Sequence, residues 1–172
     1  MSILYEDTSL NDDDKTRLRL FPGDILREVE LPANSLGAIH INRVLHFFKP
    51  EEVLLFFKKS HKWLREGGML YLVTMSPYHY ALMGFDVEYK KRQEVGNLWP
   101  GEIFTMTKDY IPENKGKIPE YLNVMDNVVL KRELNKSGFE IVEMKIFGHK
   151  TKVNKHRDNN AGYIGIIAKK KK

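Results

Sequence analysis

Residues 31–77 constrain the fold of this chain more than any other segment. The short apolar run at residues 38–41 predicts a β-strand, and it leads directly into the polar pair Asn42 and Arg43. Pro50 follows where a helix is expected to begin, because proline suits the first helical turn and two glutamates after it complement the helix dipole. The segment therefore opens with a strand, a loop and a helix.

A second strand completes the segment. Gly67 and Gly68 predict the end of the helix, because glycine adopts the left-handed conformation that a helix terminus requires. Residues 69–75 then form a nearly continuous apolar run, which is typical of a strand covered on both faces. The pattern is a βαβ crossover, and open α/β sheets bind ligands at the carboxyl ends of their strands.

Three sequence motifs in this segment resemble the second half of a class I S-adenosylmethionine-dependent methyltransferase. The motifs are SLGAI at residues 35–39, NRVLHF at residues 42–47 and WLREGGMLY at residues 63–71. They are similar to the fourth strand, the loop after it and the fifth strand of that family. Leu36-Gly37 stands where the family usually has aspartate, a departure that does not concern a cofactor contact.

The resemblance extends over about residues 18–169. LRLFPGD at residues 18–24 is similar to the family's third strand, LKRELNKSGF at residues 130–139 to its last helix, and residues 140–147 to its sixth strand. GYIGIIAK at residues 162–169 is similar to the seventh strand, which closes a hairpin. The family's strand order is 3-2-1-4-5-7-6.

The resemblance implies an α/β fold. We expect a truncated Rossmann-like methyltransferase sheet, mostly parallel with an antiparallel C-terminal strand hairpin, and helices on both faces. We expect a single domain over residues 1–172, an aromatic-rich irregular insert at residues 78–119 and a basic tail at residues 169–172. The insert is either a lid over the substrate pocket or a helical decoration whose aromatic side chains pack on the sheet.

The family's glycine-rich cofactor turn is missing from these 172 residues. The nearest pattern, Gly162 to Gly165, leads into a predicted strand instead of a helix and so fails the structural test for such a turn. The central first strand is missing with it, which is expected to leave apolar strand edges unpaired. We therefore expect a homo-oligomer or a partner chain that completes the sheet.

The resemblance assigns cofactor contacts to residues at two strand ends. Asp24 would accept a hydrogen bond from the adenine amino group, and the backbone of Ile25 would meet the ring. The alternative is that Asp24 caps the following turn. Asn42 and Arg43 would lie near the methionine end of the cofactor, or else Asn42 ends the strand and Arg43 packs its stem on the surface.

Two more acidic residues are candidates. Residues 3–5 are a possible second strand, and the family's ribose-binding carboxylate would then correspond to Glu6 or Asp7, ahead of an acidic loop at residues 11–14. His46 lies in an apolar stretch, where a histidine is more often a hydrogen-bonded core residue than a ligand. No catalytic residue can be assigned, and no histidines are spaced as metal ligands, so no metal site is predicted.

Composition limits the classes of function. The chain has no cysteine, which excludes disulfides and thiolate metal sites. No segment approaches the roughly 20 apolar residues that cross a bilayer, so a cytoplasmic protein is expected. The net charge of +5 is concentrated in residues 145–172, but aromatic side chains are not interleaved with these bases as stacking on nucleic acid requires. Nucleic acid is thus an unlikely partner.

Three functions follow from these patterns. The first is an S-adenosylmethionine-dependent methyltransferase with an unidentified methyl acceptor. The second is a catalytically inactive methyltransferase-like interaction domain. The third is a polyanion- or nucleic-acid-binding module that uses the C-terminal basic cluster.

Overall fold

The computed structural model describes residues 11–17, 19, 21–148 and 161–171. The chain falls into two compact units, Met1–Glu30 and Leu31–Lys172. In the first unit, helix α1 (Asp12–Arg17) lies where the sequence predicts an acidic loop at residues 11–14. An ion pair between Arg17 and Asp13, 2.8 Å long and one turn apart, supports this helix.

The expected third strand at residues 18–24 is not formed by its described residues. Residues 21–24 are irregular and lead into a turn at residues 25–28. Pro22 has no N–H group to donate to a neighbouring strand, and Gly23 has a φ of 141°, so this dipeptide interrupts extended pairing. The expected second strand at residues 3–5 lies outside the described residues.

In its described residues, the second unit contains six strands and four helices. The strands are β1 (Leu36–Asn42), β2 (Leu64–Met75), β3 (Glu102–Ile103), β4 (Leu122–Asn123), β5 (Phe139–Phe147) and β6 (Tyr163–Lys170). The helices are α2 (Pro50–Trp63), α3 (Phe85–Glu94), α4 (Met106–Asp109) and α5 (Asn127–Lys136). Short 3₁₀ helices occur at Leu45–Phe47, Tyr80–Leu82 and Pro112–Asn114.

The main sheet has the strand order β1-β2-β6-β5. This order corresponds to the 4-5-7-6 portion of the expected sheet, and β6 pairs antiparallel with both β2 and β5. The α/β fold and the antiparallel C-terminal hairpin are therefore confirmed. Among the described strands only β1 and β2 are parallel. The share of parallel pairing is smaller than expected, because the described part of residues 18–24 forms no strand and residues 3–5 lie outside the described residues.

Helix α2 begins at Pro50 as predicted, and the Glu52 carboxylate accepts a hydrogen bond from the Lys49 N–H at 3.0 Å. The helix ends at Trp63, however, and not at the glycine pair. Leu64 is already extended and fully buried. Gly67, with a φ of 69°, and Gly68 form an irregularity within β2, where a Cβ at Gly68 would approach the Arg65 carbonyl oxygen to 2.8 Å.

Strand β2 buries the side chains of one face only, whereas its apolar sequence predicts burial of both faces. Leu70, Leu72 and Thr74 are buried, but Tyr71 between them is 39% exposed. A continuous apolar run does not separate these cases, because tyrosine, methionine and valine are tolerated at half-exposed positions. The Tyr71 face borders a groove of about 300 Å³, which His40, Glu143, Lys145, Phe147 and Ile167 also line.

The insert at residues 78–119 contains helices α3 and α4, although its sequence predicts an irregular segment. Phe85 and Tyr89, one turn apart, are the buried residues of α3, so a single narrow stripe leaves little periodicity to detect. Both pack into a buried cluster of Leu82, Phe85, Tyr89, Ile103, Met106, Leu122 and Val124. The aromatic side chains of α3 thus pack mainly within the insert and its flanking residues, and both the lid and the helical decoration on the sheet stay predictions.

The C-terminal lysines begin inside the sheet. Strand β6 includes Lys169 and Lys170, and the Lys170 ammonium donates hydrogen bonds to Asn34 Oδ1 at 2.9 Å and to the Leu64 carbonyl at 2.8 Å. One positive charge of the predicted basic tail is thus engaged within the fold. Within the described residues, no helix is long and apolar enough to span a membrane.

Candidate functional site

The carboxyl ends of β1 and β2 lie side by side, with Asn42 paired to Val73. The chain leaves β1 at Arg43, whose N–H donates to the Val73 carbonyl at 2.8 Å. Arg43 has a φ of 56°, a left-handed conformation that is unfavourable for a residue with a side chain. Such strain is concentrated at functional sites, where surrounding structure maintains it.

Five residues form what we call the strand-end cluster: Arg43, His46, Thr74, His79 and Tyr163. Tyr163 belongs to it because β6 runs antiparallel to β2, so the first residue of β6 lies opposite Met75 at the end of β2. The cluster therefore combines the loop after β1, the loop after β2 and the start of β6. It occupies the edge of the sheet at which α/β folds bind ligands.

Tyr163 is the centre of the cluster and is 9% exposed. The guanidinium carbon of Arg43 lies 4.5 Å from its ring centroid, a cation–π contact. His79 Nε2 lies 3.0 Å from the Tyr163 hydroxyl oxygen, and the two rings meet edge to face at 5.0 Å. Phe147 stacks on the Tyr163 ring at 6.0 Å. The hydroxyl is thus held in a defined position.

The protonation of His79 follows from its neighbours. The Ala81 N–H donates a hydrogen bond to His79 Nδ1 at 3.2 Å, so Nδ1 is an acceptor and the proton of the neutral ring resides on Nε2. His79 Nε2 then donates to the Tyr163 oxygen. Burial raises the pKa of Tyr163, which Arg43 partly offsets and Tyr80 reinforces, so the phenol keeps its proton at neutral pH.

Backbone contacts fix the loop after β2. The Ser76 N–H donates to the Gly162 carbonyl at 3.0 Å, and the Ser76 hydroxyl donates to the Ala161 carbonyl. The Tyr78 N–H donates in turn to Ser76 Oγ at 3.1 Å. A Cβ at Gly162 would lie 3.1 Å from His79 Cδ2. These contacts bring His79 beside Tyr163.

His46 is a buried, hydrogen-bonded residue, in agreement with the core interpretation. Its ring is 4% exposed, and Nδ1 lies 3.4 Å from both the Thr74 hydroxyl and the Met75 N–H. Burial lowers the pKa of His46 to about 4, and electrostatic interactions with His79 and Arg43 act in the same direction. His46 is therefore neutral at physiological pH and leaves Arg43 as a positive charge of the cluster.

The lowered pKa of His46 predicts a loss of stability in mild acid. The unfolded chain takes up a proton near pH 6.5 but the native state only near pH 4, so stability falls as the pH drops through this window. The expected contribution is a decrease of about 2 kcal/mol in the free energy of unfolding between pH 7.5 and pH 5. Urea denaturation at the two pH values measures it.

Two histidine variants make this measurement specific. In His46→Gln the free energy of unfolding should lose most of its pH dependence. In His40→Gln, which changes an exposed residue of β1, it should keep that dependence. Equal pH dependence in the wild type and in His46→Gln would contradict the assignment.

The structure places the predicted site residues in different surroundings. Asn42 and Arg43 lie exposed at the strand ends, as expected. Asp24 caps a turn, because its Oδ1 accepts the Leu26 N–H at 2.7 Å and its Oδ2 pairs with Arg27 at 2.5 Å. The Leu26 N–H and Arg27 lower the pKa of the Asp24 carboxyl.

This geometry of Asp24 corresponds to the alternative given for it, and its adenine contact stays a prediction. Ile25, in the same turn, is 38% exposed, and its contact with the ring also stays a prediction. Glu6 and Asp7 lie outside the described residues.

Sequence reasoning missed His79 and Tyr163. His79 follows the second strand as Asn42 follows the first, and parallel strands end at the same edge of a sheet, so the βαβ pattern contains a signal for it. Tyr163 could be found from the predicted hairpin, since an antiparallel strand starts where its neighbour ends. The Tyr163–His79 hydrogen bond itself depends on the loop conformation at residues 76–79, which no local pattern predicts.

The described residues lack one feature that the resemblance to methyltransferases leads one to expect. Asn42 and Arg43 lie at the end of β1, and their contacts with a cofactor stay predictions. None of the described strands is followed by a glycine-rich turn and a helix. Gly162 and Gly165 flank and enter strand β6, as the sequence predicts. The turn that would supply backbone donors to the cofactor's carboxylate, as the resemblance implies, is therefore not among the described residues. The described residues also contain no group of three potential metal ligands.

Solved methyltransferase structures share this fold. An S-adenosylmethionine-dependent methyltransferase from Methanosarcina mazei matches with a TM-score of 0.60 and 20% identity, over 85% of this chain and 64% of that one. One from Archaeoglobus fulgidus has a TM-score of 0.60 and 14% identity, over 93% and 73% of the two chains. One from Mesorhizobium loti has a TM-score of 0.58 and 16% identity, over 91% and 74%.

These matches show that the chain has the class I S-adenosylmethionine-dependent methyltransferase fold. No family model matches the chain, and no curated protein sequence matches it either. The chain spans 64% of the Methanosarcina mazei methyltransferase, which is less than two thirds of that protein.

Proposed function

We propose that this chain is an S-adenosylmethionine-dependent methyltransferase domain whose strand-end cluster contacts the methyl acceptor. One observation carries the proposal: within a methyltransferase fold, Arg43 is strained into a left-handed conformation above the buried Tyr163–His79 pair. This pair lies at the sheet edge where ligands of α/β folds bind.

A structural neighbour supports the cofactor. The 1,6-didemethyltoxoflavin-N1-methyltransferase of Burkholderia thailandensis, with a TM-score of 0.51 and 12% identity, contains bound S-adenosylhomocysteine and 1,6-didemethyltoxoflavin. We propose the same class of cofactor for this chain, and we leave its acceptor open. Because the sequence has no glycine-rich turn, we also propose that another segment or a partner chain supplies the donors that this turn provides.

The rate of methyl transfer depends mainly on how the methyl donor and the acceptor are positioned. When bound, S-adenosylmethionine supplies an electrophilic methyl group, and orientation of two reactants can lower a barrier by up to about 7–11 kcal/mol. In this chain, Arg43 would attract a polar acceptor and the Tyr163 hydroxyl would orient it. His79 holds the hydroxyl in place through its Nε2 proton. His46 is the buried, neutral member of the cluster.

Titration calorimetry with S-adenosylhomocysteine tests the proposal. We expect saturable heat with a dissociation constant on the order of 100 µM, weaker than a complete site because some backbone donors are missing. Homocysteine at equal concentration should give none. A folded, monodisperse sample that shows no heat up to about 2 mM ligand would contradict the proposed cofactor.

A second candidate is an interaction domain without catalytic activity. Strand β1 is an edge of the described sheet, and Ile41 is its buried residue. Exposed edges pair readily with strands of other chains. Concentration-dependent dimerisation in analytical ultracentrifugation, together with silent calorimetry, would favour this candidate over the methyltransferase.

The C-terminal basic cluster is a third candidate, for polyanion binding. Lys150, Lys152, Lys155 and Arg157 of that cluster lie outside the described residues, while Lys169 and Lys171 are exposed. Retention on heparin that falls with salt and is lost when residues 169–172 are deleted would support it.

A further inference from the structure

We propose that the groove beside Tyr71 binds a small aromatic zwitterion, meaning a flat ring that carries an ammonium group and a carboxylate close together. The groove lies on the face of the main sheet to which Tyr71 points, which we call the open face. The inference goes beyond the proposed function, because this site does not require S-adenosylmethionine. Three observations support it: the strand register, a glycine between two aromatic walls, and two opposite charges at one rim.

The strand register brings side chains from four strands onto the open face. Residues directly opposite one another on neighbouring strands point to the same face of a sheet. Tyr71 lies opposite both His40 and Ile167, and Ile167 in turn lies opposite Glu143. Leu72, the next residue of β2, points to the other face and is 1% exposed. The open face therefore carries one row made of His40, Tyr71, Ile167 and Glu143.

A glycine in the next row leaves room for a ligand. Gly165 lies opposite Val73 on β2 and Lys145 on β5, and it has no side chain to fill the row. Tyr71 lies in the row before it and Phe147 in the row after it. Each row spans two residues, so these two aromatic residues are about 13 Å apart along the strands. The space between them is the centre of the groove.

The shape of the groove suits a single flat ring. Phe147 leans over the glycine, because a Cβ at Gly165 would lie 3.1 Å from Cε1 of the Phe147 ring. The groove has a volume of about 300 Å³, which is at the small end of ligand-binding sites. Tyr71 and Phe147 form its aromatic walls, and Val73 lines its floor beside the glycine.

One rim of the groove carries two opposite charges. Glu143 and Lys145 are two residues apart on β5, are exposed, and both line the groove. Neither forms an ion pair with another residue that the structure describes. A ligand that presents an ammonium group to the Glu143 carboxylate and a carboxylate to the Lys145 ammonium satisfies both charges. A ligand with one charge would be attracted by one of these side chains and repelled by the other, so charge complementarity selects a zwitterion.

An NMR titration of the full chain with L-tryptophan tests the inference. We expect saturable shifts of the Val73 and Gly165 amide signals with a dissociation constant of about 1 mM, in keeping with a small ligand in an open groove. Tryptamine lacks the carboxylate and 3-indolepropionate lacks the ammonium group, so each should bind about threefold more weakly. L-Alanine, which lacks the ring, should give no saturable shift up to about 20 mM.

Variants of the groove separate its walls from its charges. Tyr71→Ala removes an aromatic wall and Gly165→Ala fills the floor, so each should weaken tryptophan binding at least about fivefold. Glu143→Gln should abolish the preference for tryptophan over 3-indolepropionate, and Lys145→Gln the preference over tryptamine. Glu140→Gln changes an exposed glutamate of β5 that does not line the groove and should leave binding unchanged.

Four results would overturn the inference. Equal binding of tryptophan, tryptamine and 3-indolepropionate would remove the role of the charges, and unchanged binding by Tyr71→Ala would remove that of the wall. Shifts confined to residues outside the groove would place the ligand elsewhere. In sedimentation velocity, a dimer that Tyr71→Ala dissociates would assign the groove to a second copy of the chain. The substitutions at residues 71, 143 and 145 change exposed side chains, so they decide the question if Gly165→Ala does not fold.

A titration with tryptophan in the presence of saturating S-adenosylhomocysteine distinguishes this groove from the proposed cofactor site. The shifts caused by tryptophan should remain, and their loss would overturn the inference by placing both ligands in one site. Absence of S-adenosylhomocysteine binding would contradict the proposed function alone and leave the groove intact.

Discussion

Gly101→Ala is expected to lower the free energy of unfolding by about 3 kcal/mol, because no space exists for a methyl group at this position. A Cβ there would lie 1.6 Å from the Val124 carbonyl oxygen and 2.7 Å from its carbonyl carbon. Both atoms belong to the backbone, so a rotamer change cannot relieve the overlap. The segments would have to separate, and the hydrogen bond from the Val124 N–H to the Gly101 carbonyl, now 3.0 Å, would be lost.

The close approach of Gly101 and Val124 holds the insert against the residue that follows β4. Val124 belongs to the buried cluster of the insert, and Met75 at the end of β2 packs against that cluster. Separation at Gly101 would consequently reduce packing next to the strand-end cluster. Urea denaturation gives the change in stability.

Gly96→Ala provides the matched control for Gly101→Ala. A Cβ at Gly96 meets no atom within 4 Å, but its φ is 80°. The expected loss is therefore the cost of the left-handed conformation alone, about 1 kcal/mol. Equal losses for the two variants would show that the Gly101–Val124 contact does not limit the packing of the insert.

The second large effect is expected on strand β2, where adjacent residues point to opposite faces of the sheet. Leu70→Ala should destabilise the protein by about 3–4 kcal/mol, because Leu70 is fully buried and its truncation leaves a cavity. Tyr71→Ala removes a larger side chain, yet it should cost less than about 1 kcal/mol, because Tyr71 is 39% exposed beside the groove. Chemical denaturation of both variants provides the comparison.

This pair tests whether the sheet is covered on one face. The two substitutions share a strand, a target residue and neighbouring positions, so differences in strand propensity largely cancel. A loss at Tyr71 as large as that at Leu70 would mean that both faces of β2 are packed in solution, as the apolar sequence alone suggests.

The βαβ segment could be predicted because each of its elements has a local signal. Pro50 and Glu52 determine where α2 begins, and the apolar runs at residues 38–41 and 69–75 lie within β1 and β2. The predicted end of α2 is wrong, because pairing of the next residues with another strand outweighs the local glycine signal there. The fully buried Leu64 joins the sheet, and the glycines form a bend within the strand.

The functional site was only half predictable. Asn42 and Arg43 follow a recognisable strand, so their position at the sheet edge could be inferred. The strain at Arg43 and the pairing of Tyr163 with His79 could not, because residues 79 and 163 are far apart in sequence and meet through the β2–β6 register. For Asp24 the sequence could not decide between two roles, because aspartate suits both a cofactor contact and a turn cap. Its described contacts are local.

We propose that the strand-end cluster is part of a methyl-transfer site. The most direct measurement is a ¹H–¹⁵N NMR titration of the full chain with S-adenosylhomocysteine. We predict saturable shifts of the Asn42, Arg43 and His79 amide signals, with the amide of Gly116, a glycine distant in sequence from the cluster, unchanged. Absence of shifts at residues 42, 43 and 79 at saturating ligand would contradict the claim.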